Sequence, residues 1–359
     1  MRARVGMTMN STAGRDGGAD AACDPVSTTD KVRFLSGPSA YPHSPQDVTL
    51  VETHMSFVFL AGERAYKLKK PVRFPFLDFS TLRAREINCQ EELRLNRRLA
   101  SQVYLGIVPL KLSAGNRLSL DGDGIVVDWL VAMRRLPADR MLDRMLIEGR
   151  LDDRLIDDLC ETLSDFYRRA DRSAISPSAY AARFCREQVE NRRILTRRDF
   201  ALDHGRIPHL LDRLDAILAV SGPLLEERVR LGHIVDGHGD LRPEHICFAD
   251  PIAIFDCLEF NSELRQVDPF DELAYLGLES AQLQAPALGP KIIAKVAERL
   301  GESPPHRLVS LYAAWRAVLR ARLAVAHLLD PAPRRPERWE PLASRYLRLA
   351  EQALAAMDG

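Results

Sequence analysis

The chain has 359 residues, 50 of them Lys or Arg and 50 Asp or Glu, so its formal net charge at pH 7 is zero. With 46% hydrophobic residues it can bury a sizeable core, and the balanced charge argues against an acidic disordered chain or a net-basic nucleic-acid binder. Only seven residues are Lys (Lys31, Lys67, Lys69, Lys70, Lys111, Lys291 and Lys295), and three of these crowd into the segment Lys67 to Lys70.

Residues 1–30 are rich in Gly, Ala, Ser, Thr and Asp, which predicts a disordered leader, with order beginning near Val32. The leader has no apolar stretch long enough for a signal peptide or a membrane span. Six cysteines, Cys23, Cys89, Cys160, Cys185, Cys247 and Cys257, are scattered with no CxxC pair, and read as reduced thiols in a cytoplasmic protein that does not bind membranes.

From Val48 to Lys69 the runs VTLVE, SFVFLAG and RAYKLKK are β-prone, with Gly62 and Glu63 turning between the last two, and predict a small antiparallel sheet. Ser80 is the expected N-cap of an amphipathic helix ending near Ala100. Two further strands, YLGIVPLKLS and GIVVDWLVAMRRL, follow around the turn LDGDG. After Pro137 the pattern becomes helical in LDDRLIDDLCETLSDFYRRA, SAYAARFCREQVENRRIL and RIPHLLDRLDAILAVS, and again in LYAAWRAVLRARLAVAHLL. One β-rich stretch, HIVDGHGDLRPEHICFADPIAIFDCLEF, interrupts the helices. The outline is an α+β, two-lobed chain: a leader (1–30), a small β-rich lobe with one helix (31–136) and a larger helical lobe (137–359). Ligands favour the cleft between such lobes.

Chemistry concentrates in the interrupting stretch. The short strands ICF and IAIF bring Asp240 and Asp256 to one end of a hairpin. A loop carboxylate held there can take a proton from a hydroxyl, and a second can hold a divalent cation, which is the division of labour phosphoryl transfer needs. The plainer reading is a pair of turn-forming acids. Likewise Lys67, Lys69 and Lys70 read either as phosphate ligands or as a solvated strand end, with the strand period placing Lys67 and Lys69 on one face. Arg316 and Arg320 share a helix face and suit either an anionic substrate or internal ion pairs.

HGDLRPEHI resembles the catalytic loop of the aminoglycoside phosphotransferase branch of the protein-kinase-like fold. With THMSFVFL, AYKLKKPVRFPFLDFSTL, NRRLA, DCLEFN and DPFDELA in order, the likeness is to a bacterial aminoglycoside-phosphotransferase-like subgroup often fused to a P-loop ATPase, and covers the chain from about Val32 to Leu329. The resemblance implies a bilobal kinase-like fold and transfer of a phosphoryl group from ATP to a hydroxyl of a small molecule. The alternative is a nucleotide-binding, pseudokinase-like regulatory module.

By the same resemblance Asp240 is the catalytic aspartate and Asp256 the ligand of Mg²⁺, or of Mn²⁺. His245 stands where the pattern has a metal-binding Asn, so metal binding falls either to His245 or to Asp256 with Glu259. Lys67 matches the lysine on the α- and β-phosphates, and Glu92 its helix partner, with Lys69 and Glu91 as rivals. The turn Thr53 to Ser56 stands for the phosphate-covering loop, with Ser56 among the ATP contacts, and the backbone of Ala132, Met133 and Arg134 for the adenine hinge. Asp271 matches an aspartate that braces the catalytic loop, or is an acidic first helical turn. His238 braces the same loop. No G-x-x-x-x-G-K-[ST] occurs, so a P-loop domain would have to come from a separate partner chain.

Overall fold

The structure, a computed structural model, describes residues 25–74, 77–120, 122–331 and 333–357. The leader up to residue 24 lies outside the described residues. Its last part is corrected: helix α1 spans Thr28–Leu35 and is capped by Ser27, whose hydroxyl accepts the Asp30 N–H.

The small lobe is an antiparallel sheet of β1 (Val48–Glu52), β2 (Ser56–Ala61), β3 (Arg64–Lys69), β6 (Tyr104–Leu112), β7 (Leu118–Ser119) and β8 (Ile125–Arg134), in the order β1-β2-β3-β8-β6-β7. A two-residue hairpin, β4 (Arg73–Phe74) and β5 (Leu77–Asp78), leads into α2 (Leu82–Ala100). Its N-cap is Thr81, one residue beyond the expected Ser80, because the Ser80 hydroxyl is taken by Asp78.

Alternation along β3 sends Tyr66 and Leu68 into an apolar core with Leu35, Tyr41 and Phe59. The opposite face presents Lys67 and Lys69 to α2. The helix answers with a polar stripe. Arg85, Cys89, Glu92 and Asn96, spaced for one helical face, are all buried. Arg85 and Lys31 share Asp128 of β8 at 2.8 Å each. A third cluster, including Cys89, Val103, Tyr104, Val131, Cys247 and Ala253, joins the sheet to the helical lobe behind the cleft.

That lobe comprises α3 (Leu142–Ile147), α4 (Asp153–Arg169), α5 (Pro177–Leu195), α6 (Arg206–Arg230), α7 (Pro269–Gln282), α8 (Leu288–Leu300), α9 (His306–Ala326) and α10 (Trp339–Ala355). Between α6 and α7 lie β9 (Val235–Asp236) paired with β12 (Gln266–Val267), and β10 (Ile246–Cys247) paired with β11 (Ala253–Ile254).

Helices α7 and α8 cross where Gly277 meets Gly289: a Cβ on Gly277 would lie 2.8 Å from the Gly289 Cα. Gly277→Ala should therefore cost about 1–3 kcal/mol through overpacking. Urea unfolding checks it, and an unchanged midpoint would show that the helices can separate without penalty.

Candidate active site

The segment His238 to Asp256 forms a loop, a 3₁₀ turn and the β10–β11 hairpin. Gly239 takes φ +86°, and a Cβ there would sit 3.0 Å from Leu258, so glycine is what lets the loop turn. His238 is buried and braces the loop from within. Its Nε2–H donates to the Phe255 carbonyl at 2.9 Å, and its Nδ1 accepts the Asp240 N–H at 3.3 Å. Burial, with His245 beside it, pushes its pKa down to about 4, so it stays neutral at pH 7.

The second brace is Glu272, not Asp271. Its buried carboxylate accepts the Gly239 N–H and the Tyr167 hydroxyl, and burial raises its pKa. One position away Asp271 points to α9, where Arg316 grips it with two bonds of 2.7 and 2.6 Å. Arg320 likewise pairs with Glu279 at 2.9 Å, so both arginines serve internal ion pairs.

Asp240 opens toward the cleft with 24% of its side chain exposed. Tyr275 donates to Oδ1 at 3.0 Å, and Arg242 Nε lies 3.1 Å from Oδ2. Burial opposes its charge, but Arg242 and His245 outweigh burial and hold the carboxyl below its ordinary range. His245 donates from Nδ1 to the Asp240 carbonyl at 2.8 Å, which turns Nε2 toward Asp256 Oδ2 at 3.6 Å. Arg242 also reaches that nitrogen, at 3.2 Å.

Asp256 sits at φ +63°, a conformation that costs of order 1–3 kcal/mol and collects at functional sites. Its N–H meets the Tyr104 hydroxyl at 3.4 Å, and 45% of its side chain faces the cleft. Burial works against ionisation here too, and Lys67 and His245 reverse it, so Asp256 stays ionised well below the usual carboxylate range.

Lys67 links the lobes. Its Nζ lies 2.8 Å from Asp256 and 2.9 Å from Glu92. Glu92 is fully buried, and its other oxygen takes Lys69 at 2.6 Å. Lys69 in turn holds Glu259 at 2.6 Å, with 1% and 8% of the two side chains exposed. This separates the two lysines: Lys67 lines the cleft, while Lys69 is walled in. Glu259 lines the cleft as well, with its Oε1 taken by Lys69. Glu91, the rival to Glu92, pairs at the surface with Arg94 at 2.6 Å.

Among the described residues no cluster of three His, Cys, Asp or Glu side chains is ready to hold a metal. A divalent cation nevertheless fits the Asp256 and His245 pair, since Mg²⁺ commonly takes one or two protein ligands and completes its shell with phosphates and water.

The cleft has a volume of about 340 Å³ and is lined by Val58, Lys67, Tyr104, Met133, Asp240 and Asp256, among others. Its roof is the β1–β2 turn, a glycine-free loop tied by Thr53: the hydroxyl accepts the Ser56 N–H at 3.0 Å, and the Thr53 N–H bonds to the Ser56 carbonyl at 2.9 Å. Ser56 is 2% exposed with its N–H already bonded, so it holds the turn's shape. At the hinge, Ala132 and Met133 pair with Tyr66 and Ala65 of β3 and with Gly106 and Tyr104 of β6. Their backbone is committed to the sheet, as is that of Arg134, which pairs with Arg64 and donates its N–H to the Val103 carbonyl at 2.8 Å. A larger surface cavity, about 1190 Å³ between α4 and the β10–β11 hairpin, is lined by Arg98, Arg140, Asp165 and Pro251 and holds none of these groups.

Sequence reasoning passed over Arg242, Glu272 and Tyr275. Arg242 stood inside the quoted catalytic-loop motif. Glu272 stood inside DPFDELA, next to the Asp271 favoured there; Tyr275, one residue beyond that motif, carried no signal.

No protein-family model matches the chain. It is 35% identical over 319 residues to uncharacterized proteins of Mycobacterium bovis and Mycobacterium tuberculosis, an alignment covering 86% of this chain and 61% of theirs. The chain thus spans about three fifths of the length of the curated relatives it matches. Among solved structures it is similar to a choline/ethanolamine kinase family protein from Mesorhizobium loti, at TM-score 0.52 and 14% identity over 92% of this chain and 99% of that one. It is also similar to the GDP complex of aminoglycoside 2'-phosphotransferase-IIIa, at 0.51 and 16% over 87% and 93%. A thermostable mutant of aminoglycoside phosphotransferase APH(4)-Ia scores 0.53 at 12% over 91% and 99%. The chain has the bilobal, aminoglycoside-phosphotransferase-like form of the protein-kinase-like fold.

Proposed function

We propose that this protein is an ATP-dependent kinase that phosphorylates a hydroxyl of a small molecule. Lys67, held at once by Glu92 and by Asp256 across the cleft from Asp240, carries this reading. In it Lys67 leaves Asp256 for the α- and β-phosphates while Glu92 keeps it in place. Asp256 and His245 would hold Mg²⁺ or Mn²⁺, which would offset the negative charge developing on the phosphoryl group. Asp240 accepts a hydrogen bond from the acceptor hydroxyl and aligns it for in-line attack.

The chain between α9 and α10 braces the roof of the cleft. Arg334 reaches Glu52 at the end of β1 with a 2.6 Å ion pair, and His327, stacked on Trp339, meets the ring of His54 on the β1–β2 turn. A cleft of about 340 Å³ under that roof suits a nucleotide with a small acceptor better than a polymer. The two lobes divide near Leu136 and Pro137. A cytoplasmic location, and a separate chain supplying a P-loop domain, belong to the same proposal.

ATP with Mg²⁺ or Mn²⁺ should raise the melting temperature, a ligand at 100 times its Kd adding about 2.7 kcal/mol. Lys67→Met should remove that shift while the protein still folds, whereas Lys69→Met should lower the melting temperature of the free protein. Mass detection of a phosphorylated product from a metabolite extract then identifies the acceptor. The regulatory reading has one observation in its favour, the Arg242 bond to His245 Nε2 at 3.2 Å, which competes with a metal. ATP binding without transfer across hydroxyl substrates and metals would select it.

A further inference from the structure

Asp240 meets a protein group at each carboxylate oxygen, an ion-pair partner at Oδ2 and a hydrogen-bond donor at Oδ1, and the two differ in kind. Arg242, at Oδ2, has 21% of its side chain open to the cleft and is shared with Glu244 at 2.8 Å and with His245 at 3.2 Å. An incoming phosphate or hydroxyl can take its place. Tyr275, at Oδ1, comes from inside α7 and is 3% exposed. Its ring lies against two guanidinium groups, with the Arg316 Cζ 5.2 Å and the Arg320 Cζ 5.7 Å from its centroid.

Each guanidinium is itself pinned. Arg316 is held by both oxygens of Asp271. Arg320 is held by Glu279, which also accepts the Tyr346 hydroxyl of α10 at 2.7 and 2.9 Å. A run of hydrogen bonds, ion pairs and cation–ring contacts therefore reaches from α10 through α9 and α7 to Oδ1 of Asp240.

We propose that Tyr275 is a positioning residue: its hydroxyl holds the Asp240 carboxylate by Oδ1 and so aims Oδ2 at the acceptor hydroxyl, while Arg316 and Arg320 keep its ring in place. The acceptor's identity as a hydroxyl rests on the kinase reading; the placement of Asp240 rests on the geometry alone. The terminal torsion of an aspartate is soft. Without the hydroxyl the carboxylate is free to turn toward Arg242 and His245. A displacement of about 1 Å in a reacting group can cost of order 10²-fold in rate.

Tyr275→Phe keeps the ring and its cation contacts and removes one oxygen. Crystal structures of the wild type and the variant, grown alike, should show Asp240 in one orientation in the first and turned or split in the second. An unmoved Asp240 would overturn the proposal. Release of phosphate from ATP·Mg²⁺ to water should fall about 10- to 100-fold in kcat with KM for ATP unchanged; a change confined to KM, or no change, would also overturn it. Arg320→Lys is the second variant, keeping the charge while loosening the ring, and should lower kcat less. A wild type that turns over no ATP would sink the kinase reading, and the orientation of Asp240 in the crystals would still decide the role of Tyr275.

Discussion

Asp240→Asn is expected to leave ATP binding intact and to lower phosphoryl transfer by roughly 10²–10⁴-fold, the range a positioned proton acceptor contributes. The substitution is close to isosteric, and the amide oxygen can still accept from Tyr275. What changes is the side facing the acceptor. An NH₂ replaces Oδ2, donates where the hydroxyl must donate, and leaves the Arg242 guanidinium with Glu244 alone to offset it. In the proposed reading the nucleotide is held elsewhere, at Lys67 and Asp256. Calorimetry with ATP·Mg²⁺ should therefore give a wild-type affinity, while product formation on the acceptor found by mass detection collapses. Transfer at the wild-type rate would remove Asp240 from the chemistry; loss of ATP binding would mean that it belongs to the nucleotide site.

Glu92→Gln should be the most damaging conservative change to stability. The carboxylate is fully buried and neutralises two lysines at once, Lys67 at 2.9 Å and Lys69 at 2.6 Å. An amide of the same shape leaves two cations facing each other with less compensation. Removing one partner of a buried ion pair typically costs about 3–5 kcal/mol, to be read from urea unfolding.

The pH dependence has a definite sign. Burial pushes the Glu92 carboxyl up, Lys67 and Lys69 outweigh it, and the net pKa in the folded protein is below the ordinary 4.5. Its contribution is therefore fully present above about pH 4.5 and is lost as pH falls through the depressed folded value. The gap between wild type and variant should be widest near neutrality and should close on acidification. A gap that is absent at pH 7, or that widens in acid, would show that Glu92 does not hold this lattice.

Much of this site is legible in the linear order of residues because hairpins and loops are local. Gly62 and Glu63 turn the chain between β2 and β3, and the pairing of Ile246 with Ile254 closes the hairpin that carries Asp256. Local patterns also misled. The helical run read from Arg206 ends at Ser221, just before Gly222 and Pro223, yet α6 runs on to Arg230. Leu225 is buried beyond them, and Arg228 pairs with buried Asp268 at 2.6 Å, so tertiary contacts outweigh the proline. The helix after Ser80 reads as amphipathic, but part of its buried face is the polar stripe of Arg85, Glu92 and Asn96. Apolar periodicity is blind to a face buried by ion pairing.

The sequence by itself determined the alternation of strands and helices, the loop that presents Asp240 and the strand that presents Lys67 and Lys69 on one face. Only the tertiary structure decided which partner each carboxylate meets: Glu92 shared by both lysines, Asp256 given to Lys67, Glu259 to Lys69, Asp271 to Arg316, and Glu272 to the backbone of the Asp240 loop. The partners of Lys67 lie 25 and 189 positions away along the chain. Pairing at that distance is set by how the two lobes pack, and in a buried site the nearest opposite charge, whatever its sequence neighbours, is the one that offsets the cost of desolvation.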